Sequence, residues 1–276
     1  MDLKMGYMVV RAEETKRIFL DEISVLIIES TAVSLTSSLL KELCARKIKV
    51  IFCDEKHNPN SELVPIYGCH DTSKKIREQI RWTDDEKAVL WTAIVSRKIY
   101  NQANLLKEAD LPEQADMLVK YIEEMEINDA TNREGHAAKV YFNALFGTEF
   151  VRDFDCTINS ALNYGYMILM SVFNREITAN GYLTQLGLFH NNMFNHFNLS
   201  SDLMEPFRGA VDKYVYYAEY KKFEKEEKYD MLNILNKSYM IDGSEQTLLN
   251  AVKIYTRSVF SAIENNDISE LRFIEI

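Results

Sequence analysis

The stretch GCHDTSKK, residues 68–75, separates two kinds of sequence in this chain. Before it, short runs rich in β-branched residues alternate with polar turns, which is typical of strands. After it, apolar residues recur at intervals of three and four, which is typical of helices, and little indicates a strand. The chain is therefore predicted to have an α+β fold: a small β-rich domain at residues 1–70, followed by a larger, all-helical domain at residues 71–276.

The β-rich part is predicted to contain four strands and one helix. The strand candidates are GYMVV (6–10), SVLIIE (24–29), KVIFCD (49–54) and LVPIYG (63–68). Pro65 places the last run at a sheet edge or a strand end, because proline has no N–H to donate to a ladder. The helix candidate is TSSLLKELCARK (36–47), whose leucines have helical spacing. DEKHNPNSE (54–62) is predicted to be a polar loop.

Capping residues and prolines mark the helices of the second part. Asp71, Thr72 and Ser73 are N-cap candidates for a long helix that runs past Trp91. Pro112 falls in the first turn of another helix, where its missing N–H costs little. The other predicted helices lie in DLPEQADMLVKYIEEM (110–125), TNREGHAAKVYF (131–142), INSALNYGYMILMSVFNREITA (158–179), SSDLMEPFRGAVDKYVYY (200–217), KEEKYDMLNILNKSYM (225–240) and SEQTLLNAVKIYTRSVFSAIE (244–264).

The charge balance is acidic and unevenly distributed. The formal net charge is −10, which is adverse for a nucleic-acid binder because phosphate contacts supply much of the affinity. Residues 1–112 hold 17 basic and 17 acidic residues, whereas residues 113–276 hold 15 and 25. The acidic second part indicates either a metal site built from carboxylates or solvated acidic helix faces, and the latter is the commoner cause.

Cysteine usage and hydropathy indicate a cytoplasmic location. The four cysteines are scattered and form no CxxC pair, which fits reduced thiols better than a disulfide framework or a zinc knuckle. No run of about 18 apolar residues exists, so no membrane span is expected. The first residues, MDLKMGYMVVRAEE, lack the apolar core and cleavage site of a signal peptide.

Three polar residues in the helical part could ligate a metal ion. They are Glu134 in NREGHAAKVYF, His190 in GLFHNN and Glu205 in SDLMEPFR. One imidazole and two carboxylates form a plausible shell for Mn²⁺ or Mg²⁺. Asp202 lies three residues before Glu205, so the two acids could share one helix face. A divalent ion there could neutralise the charge that develops on a phosphodiester.

Each of these residues also has a structural explanation that the pattern alone favours. Glu134 is stabilised near a helix N-terminus by the dipole, after a cap at Thr131 or Asn132. A lone histidine such as His190 is more often hydrogen-bonded than metal-bound. Other catalytic signatures are absent, since the chain has no HExxH, no ExxH pair, no GxxxxGK[ST], no GxGxxG and no GxSxG.

Three long stretches in this order resemble one known family. They are ISVLIIESTAVSLTSSLLKELCARKIKVIFCDEKHNP (23–59), NREGHAAKVYFNALFG (132–147) and QLGLFHNNMFNHFNLSSDLMEPFR (185–208). The family is that of the CRISPR-associated endonuclease/integrase, the larger, catalytic "Cas one" subunit of the spacer-acquisition complex, and the type II version is the most similar. The resemblance covers nearly the whole chain. Family members usually have one more strand or a hairpin before the position of GYMVV, so the first strand of the β-rich domain is expected to be missing.

The resemblance implies a fold, a site and a reaction. The fold is a small β-domain followed by a helical catalytic domain, which agrees with the boundary above. The implied ligands of Mg²⁺ or Mn²⁺ are Glu134, His190 and Glu205, and Asp202 corresponds to an acidic helper close to them. The implied reaction is a transesterification in which the 3′-hydroxyl of a captured DNA fragment attacks a phosphodiester at the repeat of a CRISPR array.

Local basic clusters could supply the DNA contacts that the overall charge disfavours. In KKIREQIR, three basic residues lie at three- and four-residue spacing and can share one helix face. Three others flank the candidate carboxylates and could meet a backbone phosphate. An ordinary solvated face with ion pairs is the alternative for each. The residues predicted to contact DNA are Lys74, Arg77, Arg81, Arg133, Lys139 and Arg208.

The resemblance also implies partners. These are double-stranded DNA, a second copy of the chain in a homodimer, and a small "Cas two" protein that bridges two dimers in a heterohexamer. The type II effector nuclease and its accessory adaptation protein are further expected partners, and no membrane is. Two other functions stay open: a stand-alone nuclease that repairs branched DNA, and a non-catalytic helical scaffold in which the acids only cap helices.

Overall fold

The computed structural model describes residues 1–55, 57–65 and 69–276. The chain begins with an antiparallel meander of three strands, β1 (Asp2–Lys4), β2 (Tyr7–Arg11) and β3 (Thr15–Phe19). GYMVV is confirmed as a strand, since it overlaps β2. The strands on either side of it were not predicted, because β1 is only three residues long and β3 holds two basic residues among its five.

A second sheet combines parallel and antiparallel pairing. It contains β4 (Val25–Ile28), β5 (Lys49–Cys53) and β6 (Pro59–Leu63), and helix α1 (Ser37–Ala45) lies between its first two strands in the chain. Strand β5 pairs parallel to β4 and antiparallel to β6. The helix begins at Thr36, whose hydroxyl accepts the Leu39 N–H at 3.4 Å. Both strand predictions and the helix prediction for residues 24–54 are therefore confirmed.

The predictions for residues 54–68 are partly wrong. The first four residues of strand β6 lie in the segment predicted to be a polar loop, and only its last residue, Leu63, belongs to the run predicted as a strand. Positions 66–68 of that run lie outside the described residues. The reason is that β6 is an edge strand of its sheet, where the exposed Asn60 and Ser61 are tolerated, so the strand carries little apolar signal.

The second part of the chain consists mostly of helices. They are α2 (Thr72–Ile80), α3 (Asp84–Glu108), α4 (Pro112–Glu123), α5 (Arg133–Phe146), α6 (Thr157–Ala179), α7 (Asn198–Leu203), α8 (Arg208–Ala218), α9 (Lys225–Met231) and α10 (Leu248–Asn265), and a short 3₁₀ turn at Glu205–Phe207 joins α7 to α8. The predicted helix that runs past Trp91 is instead two helices. The first ends at Ile80, with Arg81 as its C-cap. The second starts after Thr83, whose hydroxyl forms a capping box with Glu86.

The second part also contains a small sheet, so the all-helical prediction is wrong in this detail. The sheet has the order β8 (Ser244–Thr247), β7 (Ser238–Ile241), β9 (Ile274–Glu275), and all its pairs are antiparallel. Asp242 and Gly243 join β7 to β8 with φ angles of 50° and 70°. An Asp-Gly pair between short strands is a strong hairpin signal that the helical periodicity concealed. The α+β class itself is confirmed.

The core of the helical part surrounds α6. The helix is buried along most of its length, as its apolar sequence predicted. Its Phe173 ring contacts the rings of Phe207 and Tyr255 edge-on, so it links the turn before α8 to α10. Among the described residues, no helix is both long and apolar enough to cross a bilayer. The four cysteines form no disulfide.

Candidate active site

Glu134 lies in the first turn of α5 but is not needed to cap it. The residue at the N-cap position, Asn132, has a left-handed φ of 53° and makes no capping hydrogen bond with its side chain. The carboxylate of Asp129 caps the helix instead, because it accepts the N–H of Arg133 at 2.6 Å and that of Glu134 at 3.1 Å. The predicted cap at Thr131 or Asn132 is wrong, and the Glu134 side chain is free to face the interior.

The carboxylates of Glu134 and Glu205 meet at the ammonium of Lys98, in the middle of α3. Lys98 Nζ donates a hydrogen bond to Glu134 Oε1 and lies 2.6 Å from Glu205 Oε2. The Lys98 side chain is only 10% exposed. Burial disfavours the charged lysine, yet the two carboxylates outweigh it and raise the pKa of Lys98. Two acids that are distant in sequence therefore share one buried cation.

Lys98 was missed by the sequence analysis, although a signal for it exists. It lies four residues after Ile94 and seven after Trp91, and both of these side chains are fully buried. A lysine on the apolar face of a helix must have a buried partner, because an unpaired charge is very costly away from water. The periodicity therefore marks Lys98 as a residue that requires an acidic partner from another element.

Glu205 is held between two cations. Arg208 Nε donates to its Oε1 at 2.9 Å, and Lys98 approaches its other oxygen. The Arg208 guanidinium also lies 4.6 Å above the ring of Tyr166. Burial raises the pKa of Glu205, but Arg208 and then Lys98 lower it more, and the result is a pKa of about 2. The carboxylate is therefore ionised at neutral pH.

Asp202 is fully buried and binds the chain segment that carries His190. Its Oδ2 accepts the N–H of Leu188 at 2.6 Å and that of Phe189 at 3.1 Å. Its Oδ1 accepts the N–H of His190 at 3.1 Å and lies 2.5 Å from His190 Nδ1. The prediction that Asp202 and Glu205 share a helix face is wrong, because α7 ends at Leu203 and Glu205 lies in the 3₁₀ turn.

His190 is a half-buried imidazole in an aromatic corner. Its ring contacts Trp91 edge-on at 5.8 Å, and Phe189 stacks on the same indole at 4.5 Å. The hydrogen bond with Asp202 raises the pKa of His190 against the opposing effect of burial. The charges of Asp202, Glu205 and Glu134 raise it further. The imidazole therefore lies within electrostatic reach of every carboxylate that the sequence analysis selected.

The candidate ligands lie in one region but do not form a closed shell. In the described part of the chain, only Cys69, His70 and Asp71 offer three ligand atoms within 4.8 Å of one another. Those three are consecutive residues beside the N-terminus of α2, where the helix dipole disfavours a cation. At Glu134 and Glu205 a cation is already bound, since the Lys98 ammonium lies between the two carboxylates.

The donor set nevertheless suits a divalent ion. Glu205 Oε2 is buried and accepts no hydrogen bond from a described residue, although the Lys98 ammonium lies beside it. Glu134 contributes a second carboxylate at the same point. Because Asp202 engages Nδ1 of His190, the other ring nitrogen is the one that a metal could bind.

A model of the family described as "CRISPR associated protein Cas1" matches residues 1–253. The chain belongs to the Cas1 family. It is 36% identical to a CRISPR-associated endonuclease Cas1 from Neisseria meningitidis over 199 residues, which are 72% of this chain and 66% of that relative. It is 30% identical to one from Francisella tularensis subsp. novicida over 237 residues, which are 78% of this chain and 74% of the relative. The chain thus spans about two thirds to three quarters of the length of these Cas1 relatives.

Solved structures share the Cas1 fold at lower identity. A Cas1 protein from Thermotoga maritima aligns with a TM-score of 0.75 and 16% identity over 95% of this chain and 93% of its own. A casposase bound to an integration product aligns with a TM-score of 0.75 and 18% identity over 96% of this chain and 88% of its own. A chain of a Cas6-RT-Cas1–Cas2 complex aligns with a TM-score of 0.72 and 18% identity over 99% of this chain but 34% of its own.

The basic residues predicted to contact DNA differ in how available they are in this Cas1-family chain. Arg77 and Lys139 are exposed, and so is Arg81, which follows the last residue of α2. None of these three forms an ion pair with a described residue. The other three have partners: Lys74 lies 3.6 Å from Glu78, Arg133 lies 3.1 Å from Glu124, and Arg208 binds Glu205.

A further buried acid, Asp212, interacts electrostatically with Arg208 and Lys98. Asp212 on α8 accepts a hydrogen bond from Tyr141 Oη at 3.0 Å and another from Tyr166 Oη. Burial raises the pKa of Asp212 to about 6, although both tyrosines, Arg208 and Lys98 lower it. No motif search selected Asp212, but an acid four residues after Arg208 on a helix with an apolar face is a recognisable signal.

Proposed function

We propose that this protein is a metal-dependent DNA endonuclease and integrase of CRISPR adaptation. It joins the 3′-hydroxyl of a captured DNA fragment to a phosphodiester at the repeat of a CRISPR array. The observation that carries the proposal is the convergence of Glu134 and Glu205 on one buried cation beside His190. The endonuclease names of the Neisseria and Francisella relatives, and the fold shared with a casposase bound to an integration product, support the reaction class.

Glu134, Glu205 and His190 would hold Mg²⁺ or Mn²⁺, and the imidazole favours Mn²⁺ slightly. When bound, such an ion stabilises negative charge on a phosphoryl oxygen and on the leaving oxygen. The residues themselves prepare this site. Arg208 and Lys98 keep Glu205 ionised, and Asp202 fixes the orientation and tautomer of the imidazole.

The exposed basic residues would meet the DNA backbone. Arg77, Arg81 and Lys139 are free to contact phosphates, whereas Lys74, Arg133 and Arg208 would have to give up or share their acidic partners. A net charge of −10 makes tight binding by a single chain unfavourable. We therefore assign much of the DNA affinity to assembly, because several chains contribute their contacts along one duplex.

The proposed assembly is a homodimer, with two dimers bridged by a small Cas2 protein in the cytoplasm. The fold that the chain shares with a component of a Cas6-RT-Cas1–Cas2 complex supports the second partner. The type II effector nuclease and its accessory adaptation protein are further proposed partners, in keeping with the Neisseria relative. We also propose that residues 1–70 and 71–276 form the two domains.

Strand transfer on a branched DNA that carries a repeat end tests the function. The wild type is expected to join the strands with Mn²⁺ but not with EDTA, and Glu134→Ala is expected to abolish joining. Glu113→Ala is the matched control, because Glu113 is also a first-turn glutamate, on the exposed start of α4. It should leave joining unchanged.

Two other outcomes would favour the rival functions. Metal-dependent cleavage of branched DNA without joining at a repeat, and without any effect of the Cas2 partner, would indicate a repair nuclease. No activity from a folded wild type with its partner would indicate a scaffold, and equal metal-dependent activity of the wild type and Glu134→Ala would contradict the role proposed for Glu134.

A further inference from the structure

We infer that Lys98 is a built-in counter-cation: its ammonium holds Glu134 and Glu205 together in the metal-free protein and is displaced when a divalent ion binds. The inference rests on the proposed metal site. It goes further than that site, because it assigns a competing role to a lysine that is not itself a ligand.

The first argument is geometric. The Lys98 ammonium lies 2.6 Å from Glu205 Oε2 and is hydrogen-bonded to Glu134 Oε1, so it lies between the two proposed ligands. Mg²⁺ binds carboxylate oxygens at about 2.1 Å. A divalent ion bound to both carboxylates would therefore need the space that the Lys98 ammonium occupies. One cation has to leave before the other can take its place.

The second argument is the charge balance. Without metal, the two carboxylates are matched by two side-chain cations, Lys98 and Arg208. A divalent ion would leave two excess positive charges on this group of two acids and two cations if both cations stayed, and the buried carboxylate of Asp202 would offset only one of them. Like charges at such distances repel strongly where water is excluded. Withdrawal of the Lys98 ammonium removes half of the excess, and also the charge nearest to the ion.

Lys98 is better suited to withdraw than Arg208. A lysine ammonium is a point charge on a flexible stem, whereas a guanidinium is a rigid fork. The Arg208 guanidinium is also held above the Tyr166 ring at 4.6 Å and bonded to Glu205 at 2.9 Å. Asp212 lies within electrostatic reach of Lys98 and provides another negative charge nearby.

Calorimetric titration of the metal-free protein with Mn²⁺ tests the inference without any DNA. Lys98→Met keeps an unbranched side chain that is one atom shorter and removes its charge. We expect its dissociation constant for Mn²⁺ to be lower than that of the wild type by ~10-fold or more, since a competing cation has gone. In EDTA its melting temperature should fall, because two carboxylates have lost their shared cation, and Mn²⁺ should raise that temperature more than it does for the wild type.

Two control variants separate displacement from a simple change of charge. Arg208→Met also removes one positive charge beside Glu205, but it leaves the Lys98 ammonium between the two carboxylates. It should therefore tighten Mn²⁺ binding less than Lys98→Met. Lys213→Met removes a lysine whose partner, Glu108, lies in an exposed ion pair 2.6 Å away. It should bind Mn²⁺ like the wild type.

The wild type offers a second measurement, which does not depend on whether Lys98→Met folds. Nitrogen-15 NMR of lysine side chains should show a protected ammonium signal from Lys98 without metal, and Mg²⁺ should abolish that signal. The inference would be overturned if Lys98→Met weakened Mn²⁺ binding or left it unchanged. It would also be overturned if the ammonium signal persisted with Mg²⁺ bound. Neither result would contradict the proposed metal site. Absence of Mn²⁺ binding in every variant would overturn the proposed metal site together with it.

Discussion

The Nδ1 atom of His190 lies 2.5 Å from Oδ1 of Asp202, and the same carboxylate also accepts the backbone N–H of His190. One buried acid therefore fixes both the ring and the main chain of the histidine. The opposite ring nitrogen is consequently the one that can bind a metal or a substrate.

Asp202→Asn should weaken metal binding without removing a proposed ligand. The amide has one acceptor oxygen where the carboxylate has two, so it cannot satisfy both Leu188 and His190 as Asp202 does. Loss of such an outer partner typically lowers metal affinity by about 10- to 100-fold. Calorimetry with Mn²⁺ measures the change, and Asp116→Asn on the exposed side of α4 is the control. Unchanged affinity would show that Asp202 only packs the interior.

Asp212→Asn should change how stability depends on pH. The pKa of Asp212 is raised from 3.8 to about 6 in the folded protein. The folded state therefore binds the proton more tightly, and this contribution to stability is present below pH 3.8 and is lost as pH rises through about 6. The difference is about 2 pKa units, or about 3 kcal/mol above pH 6.

Asparagine does not titrate, so the Asp212→Asn variant does not lose stability as pH rises through about 6. Its free energy of unfolding, relative to that of the wild type, should therefore rise between pH 4 and pH 6 and stay level above. Urea unfolding at pH 4.5 and pH 7 measures both proteins. If the difference between them is the same at the two pH values, Asp212 does not titrate as inferred.

Glu205→Gln should destabilise the metal-free protein more than Glu134→Gln. Glu205 pairs with both Lys98 and Arg208 and its side chain is 4% exposed, whereas Glu134 pairs with Lys98 alone and is 26% exposed. Removal of one partner from a buried pair costs about 3–5 kcal/mol. Urea unfolding in EDTA should give a value of that size for Glu205→Gln and a smaller one for Glu134→Gln. The reverse order would contradict the contacts described for Lys98.

Gly187→Ala should displace the chain segment that carries His190. A Cβ atom at Gly187 would lie 2.3 Å from the His190 carbonyl oxygen and 2.7 Å from Asp202 Oδ2, so the backbone must shift. We expect a loss of about 1–3 kcal/mol in the free energy of unfolding, together with weaker Mn²⁺ binding. Gly209→Ala is the control, because its Cβ would meet no atom closer than 3.5 Å and alanine favours a helix. Equal stability of the two variants would contradict the close approach at Gly187.

Arg77→Ala and Arg81→Ala should weaken DNA binding and lower its dependence on salt. Both side chains are exposed, and each phosphate contact that is lost reduces the slope of log K against log salt by about 0.9. Fluorescence anisotropy with a labelled duplex, at several salt concentrations, measures the slope. Lys87→Ala is the control, since Lys87 pairs with Asp84 at 2.8 Å. An unchanged slope for both arginine variants would place the DNA elsewhere.

The sequence predicted elements well where one periodicity acts alone. The central helix α6 is buried along most of its length, and its apolar sequence predicted its ends to within a residue. The hairpin at Asp242–Gly243 was missed because helical spacing on either side outweighed a two-residue turn signal. The break before α3 was missed because Thr83 and Glu86 form a capping box inside a continuous apolar pattern.

The sequence analysis predicted the proposed metal ligands but not the buried charged residues that interact with them. Glu134, His190 and Glu205 could be named because they resemble a family motif. For Lys98 and Asp212 the sequence marks only a charge on an apolar helix face, and it does not show the partners on other elements: Glu134 for Lys98, and Tyr141 for Asp212. Partners across such distances in sequence cannot be deduced from one chain by spacing alone.

The Asp202 carboxylate binds the segment at residues 188–190 mainly by accepting hydrogen bonds from backbone N–H groups, which every residue except proline possesses. The backbone of this segment is therefore held whatever its side chains are, while the Phe189 ring adds a contact to the imidazole and to Trp91. The neighbouring stretch at residues 191–197 is held differently, through side chains such as that of Asn198, which exchanges hydrogen bonds with the backbone of Asn192. Substitutions at the two positions before His190 should therefore be tolerated better, as long as no proline is introduced, than substitutions of the asparagines that follow it.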